Sequence, residues 1–453
     1  MKKGWQTRPL ADVCEIKPPK AEARERAAAD ALVSFAPMED LGIDRKFLNA
    51  SQVKRLASVV GSYTYFADGD VLLAKITPCF ENGKLGIAAD LSNGIGFGSS
   101  EFIVLRPSAS LDKEFLYYFL ARPEFRTEGA ARMGGAVGQQ RVPKEFIESY
   151  RIPVPPLPEQ QRMVGILDEV FEGIATAKAN AEKNLRNART LHDSGLNSAI
   201  TGKLTQDWRR AHANTESASV HLRKMLAERR RQWRGTGTYK EPDSPVINKP
   251  LDIPDRWVLA SPEQISTHIV DCPHSTPKWA KSGVLCLRTT NFKPGSLDLE
   301  SVQFVSEESY NERIMRLEPK PGDVLYSREG GILGIACIIP KQLRTCMGQR
   351  MMLFRLDTNM ALPEYFAGVL NSTLILSEVK RLTGGAASPH LNIRDIRTFP
   401  IPLPPITEQH QIVAKLNSIS AETQRRASIY EQKLAALEAL KKSLLHQAFT
   451  GQL

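Results

Sequence analysis

The chain contains one of its own segments twice. Residues 152–204 align without a gap on residues 401–453 at a constant offset of 249, and 17 of the 53 paired positions are identical. A gap-free repeat of this length is one folding unit used twice, which predicts an internal pseudo-two-fold. Upstream the repeat continues more weakly. Gly69-Asp70-Val71-Leu72 answers Gly322-Asp323-Val324-Leu325, and Gly86-Ile87-Ala88 answers Gly334-Ile335-Ala336. Residues 114–120 answer 364–370, and Gly134-Gly135-Ala136 answers Gly384-Gly385-Ala386. Offsets there wander between 248 and 253, as expected of a shared core whose loops differ in length.

The gap-free part has the pattern of a helical arm. Pro155-Pro156 and Pro404-Pro405 are stiff extended leads that cannot continue a helix from upstream. Helix-forming runs follow at 159–200 and 408–449. In the second run Ile412, Leu416, Ile419, Thr423, Tyr430, Leu434, Leu437, Leu444 and Ala448 fall on three- and four-residue steps, the seam of a coiled coil. The first repeats it with smaller residues: Met163, Leu167, Val170, Ile174, Ala177, Ala181, Leu185, Ala188 and Ala199. Small knobs opposite larger ones predict that the arms pack on each other. At 1.5 Å per residue each arm runs on the order of 60 Å. Gly202 and Gly451 are expected helix C-caps.

The regions before the arms alternate short β-rich runs, such as Val71-Leu72-Leu73-Ala74 and Phe102-Ile103-Val104-Leu105, with helical stretches. The expected fold is therefore two mixed α/β heads plus two long α-helices. Expected boundaries are a first head at 1–151, an arm at 152–204, a basic connector at 205–252, a second head at 253–398 and an arm at 399–453. The connector should hold one helix near 221–234. Gly94-Ile95-Gly96-Phe97-Gly98 lacks the context of a nucleotide loop and is expected as a glycine-rich surface loop.

Composition narrows the function classes. An apolar fraction of 42% with 24% charged residues is that of a soluble globular protein. No apolar run is long enough for a bilayer, and the basic start, Met1 to Arg8, has no apolar core behind it, so a cytoplasmic protein is expected. Six scattered cysteines without a CxxC pair predict reduced, buried thiols. The net charge of +10 points to a polyanionic partner, yet 205–240 alone holds nine Lys/Arg against three Asp/Glu. That distribution suits two local DNA-gripping faces rather than a basic coat.

The paired Pro156–Gln160 and Pro405–Gln409 segments, each following an Ile-Pro-x-Pro lead, carry a family resemblance. So do Gly202-Lys203-Leu204-Thr205-Gln206-Asp207-Trp208-Arg209, Ala74-Lys75-Ile76-Thr77-Pro78-Cys79 and Asp271-Cys272-Pro273-His274-Ser275-Thr276-Pro277-Lys278. With them the chain resembles, over essentially its whole length, the specificity (S) subunits of type I restriction-modification systems. The resemblance implies two target recognition domains, each reading half of a bipartite, asymmetric site in double-stranded DNA. It implies antiparallel arms that set the spacing and dock two methyltransferase (M) subunits, with restriction (R) subunits joining that core. It implies no catalytic centre and no cofactor in this chain, so that S-adenosylmethionine, ATP and magnesium belong to the partners. A two-fold pair of heads about one DNA turn (~34 Å) apart fits this geometry.

Base readout needs polar and basic side chains on loops. The first head offers Lys75, Thr77, Lys84, Gln139, Gln140 and Arg141, the last three following the Gly134–Gly138 loop. The second offers His274, Ser275, Thr276, Lys278, Arg288, Thr289, Asn291, Arg328, Gln349, Arg350 and His390. Cys272 with His274 is too small a set for a zinc site. The chain has no Asn/Asp-Pro-Pro-aromatic motif of an amino-methyltransferase and no Walker lysine loop. A specificity subunit of a stand-alone methyltransferase or of a restriction system of another type, a coiled-coil scaffold with peptide-binding heads and a nuclease remain as alternatives. The arm pairing predicts that fragment 1–204 self-associates through its arm; a well-folded monomer on sedimentation would contradict it.

Overall fold

The computed structural model describes residues 5–136, 138–384 and 389–453. The first four residues, Val137 in the 134–138 loop and the Gly385-Ala386 repeat pair lie outside these. Two compact units are present, Met1–Lys183 with Tyr430–Leu453, and Asn184–Ile429. The division falls inside both arm helices, Leu157–Ile200 and Ile406–Thr450. Each unit thus contains one head, the first turns of that head's own arm, and the last turns of the other arm. Among the described residues no helix is long and apolar enough to cross a membrane.

The heads share one topology. In the first, four antiparallel strands lie in the order Cys14–Ile16, Phe102–Pro107, Val71–Ala74, Leu85–Ile87. In the second the order is Ser266–Asp271, Met351–Leu356, Val324–Ser327, Ala336–Ile338. Each head adds a sheet built on a parallel pair, Leu32–Ala36 with Ile95–Gly98 in the first and Val284–Leu287 with Thr345–Met347 in the second. The edges differ: Thr64–Ala67 extends the first beyond Ile95–Gly98, whereas Trp279–Ala280 extends the second at its opposite side.

Within the Gly94–Gly98 run only the half-buried Gly94 lies in a turn, and Ile95–Gly98 after it is therefore a buried strand rather than a surface loop. Its glycines are needed for packing: a Cβ on Gly96 would lie 2.1 Å from the Phe66 ring, and one on Gly98 would lie 2.4 Å from the Ala36 carbonyl. The Gly-Asp-Val-Leu repeat likewise has a packing role. Gly69 and Gly322 hold φ of +89° and +88°, which glycine adopts without steric cost. Asp70 then accepts from the Ala67 amide and takes Arg106 in a two-point ion pair (2.7 and 2.9 Å). Asp323 repeats this with the Lys320 amide and Arg355 (2.9 and 2.7 Å). Each pair ties a turn to the neighbouring strand.

The arm helices form over the expected runs, and Gly202 and Gly451 end them in left-handed conformations of φ +73° and +81°. Of the seam residues Leu167, Ile174 and Ile412 are buried, while Leu185, Leu416, Ile419, Tyr430, Leu434, Leu437 and Leu444 are half-buried. In the first unit Met163, Val164 and Leu167 share a core with Leu445, Ala448 and Phe449, whose ring lies 4.9 Å from that of Phe115. In the second unit Gly195 faces Leu416 and Ile419; a Cβ there would come within 3.1 Å of Ile419. In both units early turns of one helix meet late turns of the other, which is antiparallel packing. The connector holds two helices rather than the one expected: a short Gln206–Ala211 and the longer Ala218–Gln232, capped by Ser217, with Leu222 in the second head's core. Five cysteines are buried and Cys79 partly so; burial pushes the Cys14 thiol up to about 12.

The Glu-Gln repeat fixes each arm to its head. Gln160 is fully buried; its carbonyl oxygen accepts from the Asp112 amide and its nitrogen donates to Ser110 and Pro155 carbonyls, all within 2.9 Å. Gln409, also fully buried, makes the same set with Leu362, Met360 and Pro404. Asp112 and Leu362 are the N-caps of the equivalent helices Lys113–Leu120 and Pro363–Leu370. Glu408 is buried too, and receives Thr205, Arg209 and the Trp257 indole (2.6, 2.7 and 2.9 Å). That explains Thr205 and Arg209 at the start of the connector. Replacing Gln160 or Gln409 with Ala leaves three backbone groups, buried or partly buried, without their partner and should destabilise the protein by about 2–4 kcal/mol in denaturant unfolding. Gln161→Ala, on the exposed side of the same helix, should stay within about 0.5 kcal/mol.

Candidate nucleic-acid interface

The polar loops predicted to read DNA leave the heads where the central strands Val71–Ala74 and Val324–Ser327 end. The same backbone hydrogen bonds form there in both heads. Lys75 donates to the Glu101 carbonyl and receives the Val142 amide; Arg328 donates to the Arg350 carbonyl and receives the Leu391 amide. The Thr77 amide donates to Gln140, as the Gly330 amide does to Pro389. Bridges Ile76–Arg141 and Glu329–His390 complete the match. Lys75, Glu101 and Arg141 therefore occupy the places that Arg328, Arg350 and His390 take in the second head.

The frame is common and the side chains are not. In the first head Arg141 makes a two-point ion pair with Glu101 at 2.9 Å, and its guanidinium holds the Glu101 carboxyl below the usual carboxylate range. Lys75 donates to the Ser100 carbonyl at 2.9 Å, and the Thr77 hydroxyl to Glu81 at 3.0 Å. Gln139 is exposed and Gln140 half-buried beside them. In the second head Glu101 is replaced by an exposed arginine and Arg141 by an exposed histidine. Those replacements give the two corners different donor patterns.

The second head gathers its remaining candidates through one buried side chain. Strands Val284–Leu287 and Thr345–Met347 end side by side, so Arg288 and Thr289 emerge next to Gln349 and Arg350. Arg313, only 4% exposed, donates to the carbonyls of Met347 and Gly348 (both 2.7 Å), Ser275 (3.2 Å) and Pro273 (3.5 Å). It thereby ties the 273–275 loop to the 347–348 loop. Gln349 adds a 2.6 Å bond to the His274 carbonyl, and His274 Nε2 stands 3.1 Å from Asp271. His274, Ser275, Thr276 and Lys278 are left exposed.

Three candidates are structural instead. Asn291 is buried; its amide donates to Asp298 and Ser301 carbonyls, and its oxygen accepts from the Arg288 amide, so no atom is left for a base. Arg328 is buried against Asp271 (2.8 and 3.0 Å) and Glu329 (2.6 Å), with a further bond to the Leu391 carbonyl. Lys84 turns to the Met38 carbonyl at 2.7 Å, away from the 75–77 corner. Arg313 was not apparent in the sequence, where it resembles any basic residue on a helix face. Asp271 opens the Asp-Cys-Pro-His motif and could have been singled out as a partner for its cations. Arg313→Ala should destabilise the protein by about 2–4 kcal/mol, from four carbonyls stranded at once, and should speed tryptic cleavage after Lys278.

The type I restriction modification DNA specificity domain profile matches residues 2–185 and 301–433. The type I restriction enzyme EcoEI specificity subunit of Escherichia coli is 26% identical, over 98% of this chain and 81% of its own length. The EcoAI specificity subunit of Escherichia coli is 26% identical, over 92% and 77%. Among solved structures, the HsdS subunit from Thermoanaerobacter tengcongensis superposes with a TM-score of 0.57 at 16% identity, covering 100% of this chain and 98% of that one. A chain solved to explain complex assembly and conformational transition of the type I restriction-modification system gives 0.70 at 17%, covering 100% and 99%. Those two likenesses are likenesses of fold. With its sequence matched over most of its length, the chain belongs to the family of type I restriction-modification DNA specificity proteins.

Proposed function

We propose that this chain is the sequence-reading subunit of a type I complex, with each head reading one half of a two-part, asymmetric DNA site. The observation that carries this is the matched corner: identical backbone bonds present Lys75, Glu101 and Arg141 in one head and Arg328, Arg350 and His390 in the other. A scaffold held constant while its outward donors change is what two different half-sites require. Arg328 keeps the corner folded, and the outward contacts fall to Arg350, His390, Gln349 and the 274–278 loop. The paired arms set the separation of the heads and dock two methyltransferase subunits. Restriction subunits join them, and S-adenosylmethionine, ATP and magnesium are held by those partners.

The test is co-expression with candidate methyltransferase subunits and genome-wide mapping of methylated adenines. A two-part asymmetric motif is expected, and an assembled complex that leaves no motif would sink the reading. Gln349→Ala with His390→Ala should relax one half of that motif only. Removing each base-reading side chain should cost about 1–3 kcal/mol of discrimination, and the other half should stay unchanged.

A further inference from the structure

Next to the matched corner of the first head lies a groove of about 430 Å³ whose rim is cationic. Lys17, Lys20, Lys75, Arg141 and Lys144 line it, above a floor that includes Ile16, Phe102 and Val142. Acidic partners neutralise only part of this rim: Arg141 is paired with Glu101, and Lys144 with Glu148 at 2.5 Å. Lys75 shares Glu101 with Arg141, at 3.9 Å, and donates to the Ser100 carbonyl (2.9 Å), so two carboxylates stand against five cations; Lys20 donates to the Gly61 carbonyl (3.0 Å), a bond that orients its ammonium group but leaves its charge in place. Lys17 is exposed on a left-handed backbone of φ +60°. That conformation is costly for lysine where it would not be for glycine.

We infer that this groove seats phosphates of the DNA backbone, and that the second head has no equivalent seat. The inference rests on the DNA-reading role proposed above. At the matched positions the second head carries Val270 for Lys17, beside Leu353 as Lys17 is beside Val104. It has Ile393 for Lys144, each the first residue of the same short helix, and His390 for Arg141. Its Arg328, in the place of Lys75, is committed to Asp271 and Glu329. The neighbouring cations Lys17 and Arg24, after burial itself, push the Lys20 pKa down. Like charges held together raise the free energy of the unliganded head, and an anion relieves it. Beside hydroxyls such as those of Ser62, Thr64 and Ser100, the groove's rim offers a cluster of point charges next to the 75–77 corner, the kind of donor a phosphate takes. The two half-sites are thus held by unequal mixtures, the first with a large phosphate share and the second mainly through polar loop contacts.

Salt dependence separates these shares. The chain assembled with its methyltransferase subunits is titrated with its cognate duplex at several salt concentrations, as wild type and as Lys17→Ala/Lys20→Ala. Removing two phosphate-binding cations should flatten the log–log salt slope by about 1.8, so that affinity falls about tenfold less between 50 and 200 mM salt. The methylated motif should be unchanged. Lys320→Ala/Lys341→Ala removes the same charge from exposed positions of the second head and should leave the slope in place. In wild type, neutral methylphosphonate links scanned across the first half-site should weaken binding at one or two positions, and the double variant should no longer sense them; the wild-type scan holds even where a variant assembles poorly. An unchanged slope, or methylphosphonate sensitivity equal in the two half-sites, overturns the phosphate seat while leaving the DNA-reading role standing. A shifted motif overturns it too, because the groove would then read bases. Failure of the wild-type complex to methylate any motif would instead remove the reading on which the inference rests.

Discussion

Each arm depends on one buried glutamine. Gln160 and Gln409 turn a helix start into a joint: one carboxamide holds the N-cap of a head helix, the loop before it and the carbonyl of the arm's own proline lead. Only a side chain with both donors and an acceptor at one planar end can do this, and in a dry site each bond is expensive to leave unmade. The angle at which each long helix leaves its head is thereby fixed. Everything carried further along the helix depends on that angle.

The motif signals proved to be mostly about folding. Gly-Asp-Val-Leu and Glu-Gln resolve into turns and buried polar joints, as do Thr205 and Arg209 of the Thr-Gln-Asp-Trp-Arg run. The first two were legible because packing demands the same residues in both units. The arm seam was legible for a similar reason, since burial at every third or fourth residue leaves a periodic trace. The Ile95–Gly98 strand was not legible because Gly96 and Gly98 answer to Phe66 and Ala36, partners distant in sequence. Its period could not show that.

The candidate interface was legible by region and not by residue. Sequence singled out the loops at the strand ends, and the structure brings most of them to one corner in each head. It could not distinguish an exposed asparagine from Asn291, whose three hydrogen bonds are internal, nor show that Arg328 faces inward. Arg313 left no trace at all, because a buried arginine bonded to carbonyls looks in sequence like a solvated one. The difference between a reader and a brace lies in long-range neighbours, and only the fold supplies them.

The assignment of late turns to an early head has a consequence during synthesis. The core around Phe115 and Leu167 is completed by Leu445, Ala448 and Phe449, which are made roughly 250 residues or more later. At about 5–20 residues per second the first head waits on the order of 10–50 s with that apolar face open. Throughout the interval its own late helix does not yet exist, and an equivalent helix from another nascent chain has the side chains to fill the open face. Fidelity of assembly is then a kinetic contest between elongation and encounter, decided by how crowded the message is with ribosomes.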